Sequence, residues 1–342
     1  MTISALRNAI EPGAIVATFT AGTLINRRRT PRLSKPIDDV EAPESDDDEG
    51  DEQKRRGESV YQYGTVTRHS SPPPRKNNHT RLLAHFPFLI EIWYWLLTYW
   101  IYQGLRAVSA RAIQGNEAVF DTAYHHALQI LSLEHHLHID VELAVQRFIL
   151  DKAPWLMYNV LARIYYSHIV LGVVFLVYCY TFLPRGQYQS IRRTIALENV
   201  IAFVIITAWR CMPPRLLPEE FGFLDVLHSN HGGTTWTQNK FQLTIAAMPS
   251  LHFANSLFIG FCLQRYSPHL LLRCIAPLWP MMMGLTIVAT ANHYILDAVV
   301  GSCVLLMARR GNRAMLSLLP VERFIFRLIR LEKPEEDGSR PL

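Results

Sequence analysis

Hydrophobic positions gather in six runs along the chain, at roughly 86–108, 157–183, 194–212, 250–264, 270–291 and 293–308. Several of these approach the ~20 residues needed to cross the hydrocarbon core of a bilayer. Lipid offers a backbone no hydrogen-bond partners, so a spanning run is predicted to be a helix. The first run is rich in aromatics (Trp93, Trp95, Tyr99, Trp100), with Glu91 and Arg106 near its two ends. The third is rich in Ile and Val and ends at Cys211-Met212-Pro213-Pro214. Residues 116–150 follow a different pattern. Leu128, Leu131, Leu143, Val145 and Phe148 recur at helical spacing among charges and histidines. That pattern predicts one or two amphipathic helices at the membrane interface or capping the bundle. The expected fold is all-α: a polytopic membrane bundle of about six transmembrane helices over residues 85–310.

The flanks are polar. Residues 1–80 carry Arg27-Arg28-Arg29, an acidic run over 46–52 and Ser70-Ser71-Pro72-Pro73-Pro74. They lack the apolar residues that would offset the entropy of ordering them, so a disordered cytosolic tail is predicted. Residues 311–342 form a second, C-terminal tail. The mean hydropathy of +0.08 averages tail and body. Residues 1–25 are mildly apolar but are interrupted by Glu11, Pro12 and Gly13, and no small-residue cleavage site follows. The first spanning run is therefore expected to serve as the targeting signal.

Charge changes the picture by setting topology. The net charge is only +5, and the basic clusters lie between apolar runs rather than on one aromatic-rich face. Nucleic acid is therefore not an expected partner. Arg185, Arg192 and Arg193 follow the second run, Arg265 and Arg273 the fourth, and Arg309, Arg310 and Arg313 the sixth. With six spans these segments share one side, which the positive-inside rule makes cytosolic, together with both tails. The loop 213–249 and the start of the sixth run then share the luminal or exterior side. So Pro249-Ser250-Leu251-His252 and His293 are expected at one membrane face. The five cysteines lie in or beside apolar runs with no CxxC pair, and read as small buried hydrophobes.

Those positions suggest chemistry. His293 and Asp297 are four apart at the start of the sixth run, a spacing that puts both on one helix face. A carboxylate beside an imidazole fixes its tautomer and stabilises its cation, and the other ring nitrogen can attack phosphorus. The bland alternative is a structural His–Asp hydrogen bond. Ser250 opens the fourth helix as a favoured N-cap, where free N–H groups make an anion site. His252, in the first turn, can donate a proton to a leaving oxygen; an interfacial histidine beside an ordinary cap is the rival. Arg215 and Lys240 are candidate phosphate ligands in the luminal loop, since a guanidinium fork suits phosphate. An arginine snorkelling to the interface is the alternative. Asp225 and His231-Gly232-Gly233 are expected to shape that loop. His168, inside the second run, is either functional or packed against a neighbouring helix. His125, His126, His135, His136 and His138 lack the HExxH pattern, and adjacent histidines face apart, so no metal is expected.

Four stretches together resemble the type 2 phosphatidic acid phosphatase superfamily, and within it the branch containing the fungal inositol phosphorylceramide synthases. They are Tyr165-Tyr166-Ser167-His168; Pro213-Pro214-Arg215-Leu216-Leu217-Pro218 with Gly222-Phe223-Leu224-Asp225; Ala246-Ala247-Met248-Pro249-Ser250-Leu251-His252; and Thr290-Ala291-Asn292-His293-Tyr294-Ile295-Leu296-Asp297. The resemblance implies that His293 forms a phosphoenzyme, Asp297 supports it, and His252 protonates the leaving group. It further implies that Ser250 and Arg215 hold phosphate oxygens. Membrane lipids are the implied substrates, no cofactor is implied, and the location is the Golgi or endoplasmic reticulum. Leu251 replaces a glycine of the superfamily pattern, Thr286 and Ile287 stand where it has Ser-Arg, and its first basic motif is missing. These departures favour transfer over simple hydrolysis. The expected activity is a lipid phosphotransferase with a phosphohistidine intermediate, carrying phosphoinositol to a sphingolipid. A lipid phosphate phosphatase, a non-catalytic lipid-binding protein and a transporter are the alternatives.

Overall fold

The computed structural model describes residues 3–28, 78–227, 245–329 and 331. Among these the chain is helical, and the only extended pairing is an isolated bridge between Cys211 and Ala246. The helices are α1 (Ile3–Ile25), α2 (Asn78–His85), α3 (Phe88–Ile113), α4 (Glu117–His136), α5 (Glu142–Lys152) and α6 (Ala162–Phe182), the last entered through a π-helical turn over Leu156–Leu161. Then come α7 (Arg185–Ala208), α8 (Leu251–Tyr266), α9 (Leu270–Ile275), α10 (Leu278–Ala289), α11 (Ile295–Gly311) and α12 (Leu319–Leu328).

Five of the six apolar runs each fall on one helix, and the run 270–291 is divided between α9 and α10. Two stretches, Leu156–Phe182 and Leu270–Ala289, are long and apolar enough to cross a membrane. A third is added if α2 and α3, bent by 97° at their junction, count as one span. Helices α8 and α11 have 16 and 17 residues, at the lower edge of the ~17–25 that a crossing takes. The segment 116–150 forms α4 and α5, two helices as expected. The outer surface is apolar: Trp93, Trp100 and Val108 of α3, Val204 of α7 and Met281 of α10 are all more than half exposed. Such a belt suits contact with lipid.

The tails differ from expectation. Residues 1–80 read as disordered, yet α1 forms within them and packs along α6. The cause is local. Past Pro12-Gly13 the chain is apolar, and Gly22 lets Phe88 and Val177 approach so closely that a Cβ there would lie 2.9 Å from each. Asn26 Nδ2 donates to Thr181 Oγ1 at 3.0 Å, and Phe19 meets Trp95 edge-on at 5.2 Å. At the other end α12 presents Val321, Phe324 and Leu328 outward, while Tyr94 Oη donates to Glu322 at 2.8 Å. The rest of the two tails lies outside the described residues.

The core gathers Phe88, Phe175, Tyr180, Tyr188 and Phe258. Within the bundle Arg192 pairs with Glu91 at 2.5 Å, and Tyr188 Oη donates to the same carboxylate at 2.9 Å. This joins α3 to α7. Partners of this kind are what allow charges to sit inside an apolar body.

The start of α11 positions the site. A helix leaves its first N–H groups without internal partners. Here Tyr294 N donates to Asp297 Oδ2 at 2.9 Å, Ile295 N to Glu142 Oε1 at 2.9 Å and Leu296 N to Glu134 Oε1 at 2.8 Å. All three carboxylates are buried, and the positive end of the helix dipole favours them. Ser250 N donates to the Asp297 backbone oxygen at 3.0 Å, which ties α8 to α11. Gly301 makes that approach possible, because a Cβ there would lie 2.6 Å from the Ser250 carbonyl oxygen.

Gly301→Ala should therefore destabilise by about 1–3 kcal/mol, the usual cost of overpacking; a melting curve in detergent checks this, and an unchanged midpoint contradicts the close approach. A second prediction concerns pH. Burial, reinforced by the neighbouring Glu142 charge, pushes the Glu134 carboxyl up from 4.5 to about 8. A raised carboxyl stabilises the fold below its unfolded value, and that contribution is lost as pH rises through about 8. Glu134→Gln keeps the acceptor for Leu296 N and removes the titration. Its melting temperature should depend less on pH between 5 and 8 than that of the parent protein.

Candidate active site

The turn from α10 to α11 carries His293. It is wound onto the last carbonyls of α10: Asn292 N and His293 N both reach Ile287 O, at 3.1 and 3.3 Å. Because α11 begins at Ile295 with Tyr294 as N-cap, His293 precedes the helix. The expected sharing of a helix face by His293 and Asp297 is thus corrected. The two meet because Asp297 folds back to cap Tyr294, and its Oδ2 then lies 3.4 Å from His293 Nδ1.

A shorter contact decides the imidazole's state. His293 Nδ1 lies 2.7 Å from the Ala247 carbonyl oxygen. A carbonyl only accepts, so Nδ1 carries the proton. Nε2 is left with its lone pair, 3.4 Å from His252 Nδ1. Asp297 supplies a nearby negative charge, and its other oxygen is buried with no partner.

His252 is the second residue of α8. Ser250 caps this helix by accepting from Phe253 N at 3.4 Å. Tyr165 stacks on the His252 ring at 4.4 Å, and His168 meets it at 4.3 Å. His168 Nδ1 donates to the Tyr165 carbonyl oxygen at 2.8 Å. The histidine of the second run therefore joins the site as a neighbour of His252. Ser250 realises the capping half of its expectation, but it is fully buried and does not line the cavity described below.

Arg215 is held on three sides. Its backbone N donates to Ala291 O at 2.9 Å, Nε to Asn292 Oδ1 at 3.0 Å and Nη1 to Asp225 Oδ2 at 3.1 Å. The side chain is only 8% exposed, so it is a fixed donor and not a snorkelling one. Asp225, expected only to shape the loop, orients this arginine. Lys240 and His231-Gly232-Gly233 lie outside the described residues.

These groups open onto one cavity of about 580 Å³. His168, His252, His293, Arg215 and Asn292 line it, together with Trp95, Tyr99, Tyr102 and Arg106 of α3. Among the described residues no carboxylate lines it. An anion entering it meets cationic and neutral donors while Glu134, Glu142 and Asp297 stay behind the wall. The histidines of α4 are spent elsewhere: His126 bonds Arg210 O at 2.7 Å, and His135 bonds Asp140 at 2.8 Å. Among the described residues no three His, Cys, Asp or Glu side chains are grouped to hold a metal.

Sequence reading missed Tyr165, Asn292, Glu134 and Glu142 as parts of this arrangement. Tyr165 and Asn292 stand in the stretches that carry the family resemblance, but no role was expected of either. The glutamates sat in a segment whose polarity looked interfacial.

The PAP2 superfamily model matches residues 128–310, more than half of the chain and every described site residue above except those of α3. No curated protein and no solved structure matches the chain. On the match over 128–310, more than half of its length, the chain belongs to the PAP2 superfamily.

Proposed function

We propose that the protein is a membrane lipid phosphotransferase working through a phosphohistidine at His293. Membership of the PAP2 superfamily points to a lipid phosphatase or phosphotransferase type of activity. The observation that carries the finer reading is the tautomer. Ala247 O takes the Nδ1 proton of His293 and leaves Nε2 as an unprotonated nucleophile beside His252.

In the first step His293 Nε2 attacks phosphorus, and the bond to the leaving lipid alcohol breaks. His252 gives its proton to that departing oxygen. Asp297, 3.4 Å from His293 Nδ1, offsets the positive charge that the ring acquires. Arg215, oriented by Asp225 and Asn292, takes the charge on the phosphoryl oxygens. In the second step an acceptor hydroxyl attacks phosphorus, His252 takes its proton, and the phosphorus–nitrogen bond breaks. Ser250 serves by holding the start of α8.

With a lipid hydroxyl as acceptor the reaction is transfer. The aromatic side chains that α3 adds to the cavity wall suit a lipid acceptor and favour this outcome. Phosphoinositol moving to a sphingolipid is the specific form we favour, on the motif departures at Leu251, Thr286 and Ile287. With water as acceptor the same steps make a hydrolase, which on a lipid phosphomonoester is a lipid phosphate phosphatase. The proposal places six spans across a Golgi or endoplasmic reticulum membrane, with both tails cytosolic and the site luminal.

The test uses full-length protein in nanodiscs with phosphatidylinositol, labelled at phosphorus, and a ceramide acceptor. The parent protein should give a labelled phosphoenzyme and a labelled sphingolipid. His293→Ala should give neither, and undiminished turnover would sink the nucleophile assignment. His252→Ala should lose about 10²–10⁴ in rate with a lipid leaving group, and much less with a para-nitrophenyl ester, whose leaving group needs no proton. Label appearing in water instead of in the sphingolipid would select the phosphatase.

A further inference from the structure

Helix α3 is apolar on its outer side but carries Tyr99, Gln103 and Arg106 at a spacing of four and three, which keeps them on one face. Arg106 Nη1 donates to Gln103 Oε1 at 3.3 Å, and Gln103 Nε2 donates to Tyr99 Oη at 3.1 Å. All three line the cavity that holds His252 and His293. Sequence reading placed Arg106 only as a charge near the end of a span.

The charge balance of the cavity singles this arginine out. Among the described residues two arginines line it, Arg106 and Arg215, and no carboxylate does. Arg215 is offset by Asp225 at 3.1 Å. Among the described residues Arg106 has no acid within ion-pair distance; its contacts are Gln103 and, more loosely, the Tyr102 ring at 5.7 Å. An arginine facing inward from a membrane helix is costly to keep without a purpose. It shares the cavity lining with His252, His293 and Tyr165.

We propose that Arg106 is a second anion-binding residue of this cavity, taking a phosphate oxygen from the α3 wall while Arg215 takes another from the loop before His293. Gln103 and Tyr99 position its guanidinium, whose planar fork matches a phosphate edge. The ligand class is a phosphodiester lipid of the surrounding bilayer. This deepens the phosphoryl-transfer reading and rests on it.

The experiment measures binding without turnover, in full-length His293→Ala protein in detergent. Trp95, Trp100 and Trp279 line the cavity, so intrinsic tryptophan fluorescence reports its occupancy. The probes are dihexanoyl phosphatidylinositol, dihexanoylglycerol and inorganic phosphate. Adding Arg106→Gln should weaken the phosphatidylinositol probe about tenfold, the effect of one hydrogen bond to a charged group. It should leave dihexanoylglycerol unchanged. Arg106→Met, better suited to an apolar helix, carries the same expectation should Gln disturb folding. A parallel loss for inorganic phosphate assigns Arg106 to the phosphate group whatever its source; a loss for the lipid alone assigns it to a lipid-borne phosphate. Equal binding by the parent and both variants overturns the proposal, as does failure of the parent to bind either phosphate probe. The two readings fail separately. A missing phosphoenzyme with the Arg106 difference intact removes the transferase reading, and equal binding with a phosphoenzyme present removes only Arg106.

Discussion

The rest of the site depends on how the N-terminus of α11 is satisfied. Three backbone N–H groups meet three buried carboxylates, and these come from α4, α5 and α11 itself. Carboxylates so placed would be expelled from an apolar interior if they lacked partners. Here each supplies an acceptor that the helix start needs, so none of these three N–H groups is left for the interior to satisfy, although Glu134 Oε2 and Asp297 Oδ1 remain buried without a partner. The arrangement docks the amphipathic pair α4 and α5 onto the bundle. It also fixes Tyr294, whose hydroxyl donates to Met212 O at 3.0 Å and holds the segment leading to Arg215. Ala247 N, in turn, donates to Cys211 O at 3.1 Å, which brings the carbonyl of Ala247 under His293. One capped helix start thus orders both the histidine and the arginine loop.

The same construction separates charge. Acids lie behind the histidine and cations line the space in front of it. A phosphoryl group gains negative charge at its oxygens as it transfers, and fixed donors that need no reorganisation serve it best. Burying the acids as helix caps keeps their charge away from the substrate while Asp297 still reaches His293 Nδ1.

The six apolar runs, the amphipathic pair and the meeting of the two histidine motifs could all be read from the chain. They rest on hydropathy and periodicity, which act over neighbouring residues. The readings that failed depended on contacts distant in sequence. Residues 3–25 look too mixed to be a stable helix alone; α6 and Phe88 provide the surface that α1 needs, through Gly22. His293 and Asp297 at a spacing of four suggested a common helix, but the backbone enters that helix two residues after the histidine. Glu134 and Glu142 looked like solvated charges of an interfacial segment, and only the docking of α11 shows what buries them. Arg106 was legible as a charge in a span, whereas its facing the histidines required the packing of α3 against the bundle.

The contact between His293 and the Ala247 carbonyl has a wider meaning. In hydrolytic triads a side-chain carboxylate sets the tautomer, and changing it to an amide costs about 10⁴ in rate. Here the acceptor belongs to the main chain, which every residue possesses. No substitution at position 247 can delete it; a replacement acts only through its bulk, against a site that is already 2% exposed. The protonation pattern of the nucleophile is thereby written into the path of the backbone and not into the identity of a neighbour. It would be lost only when the chain itself moved.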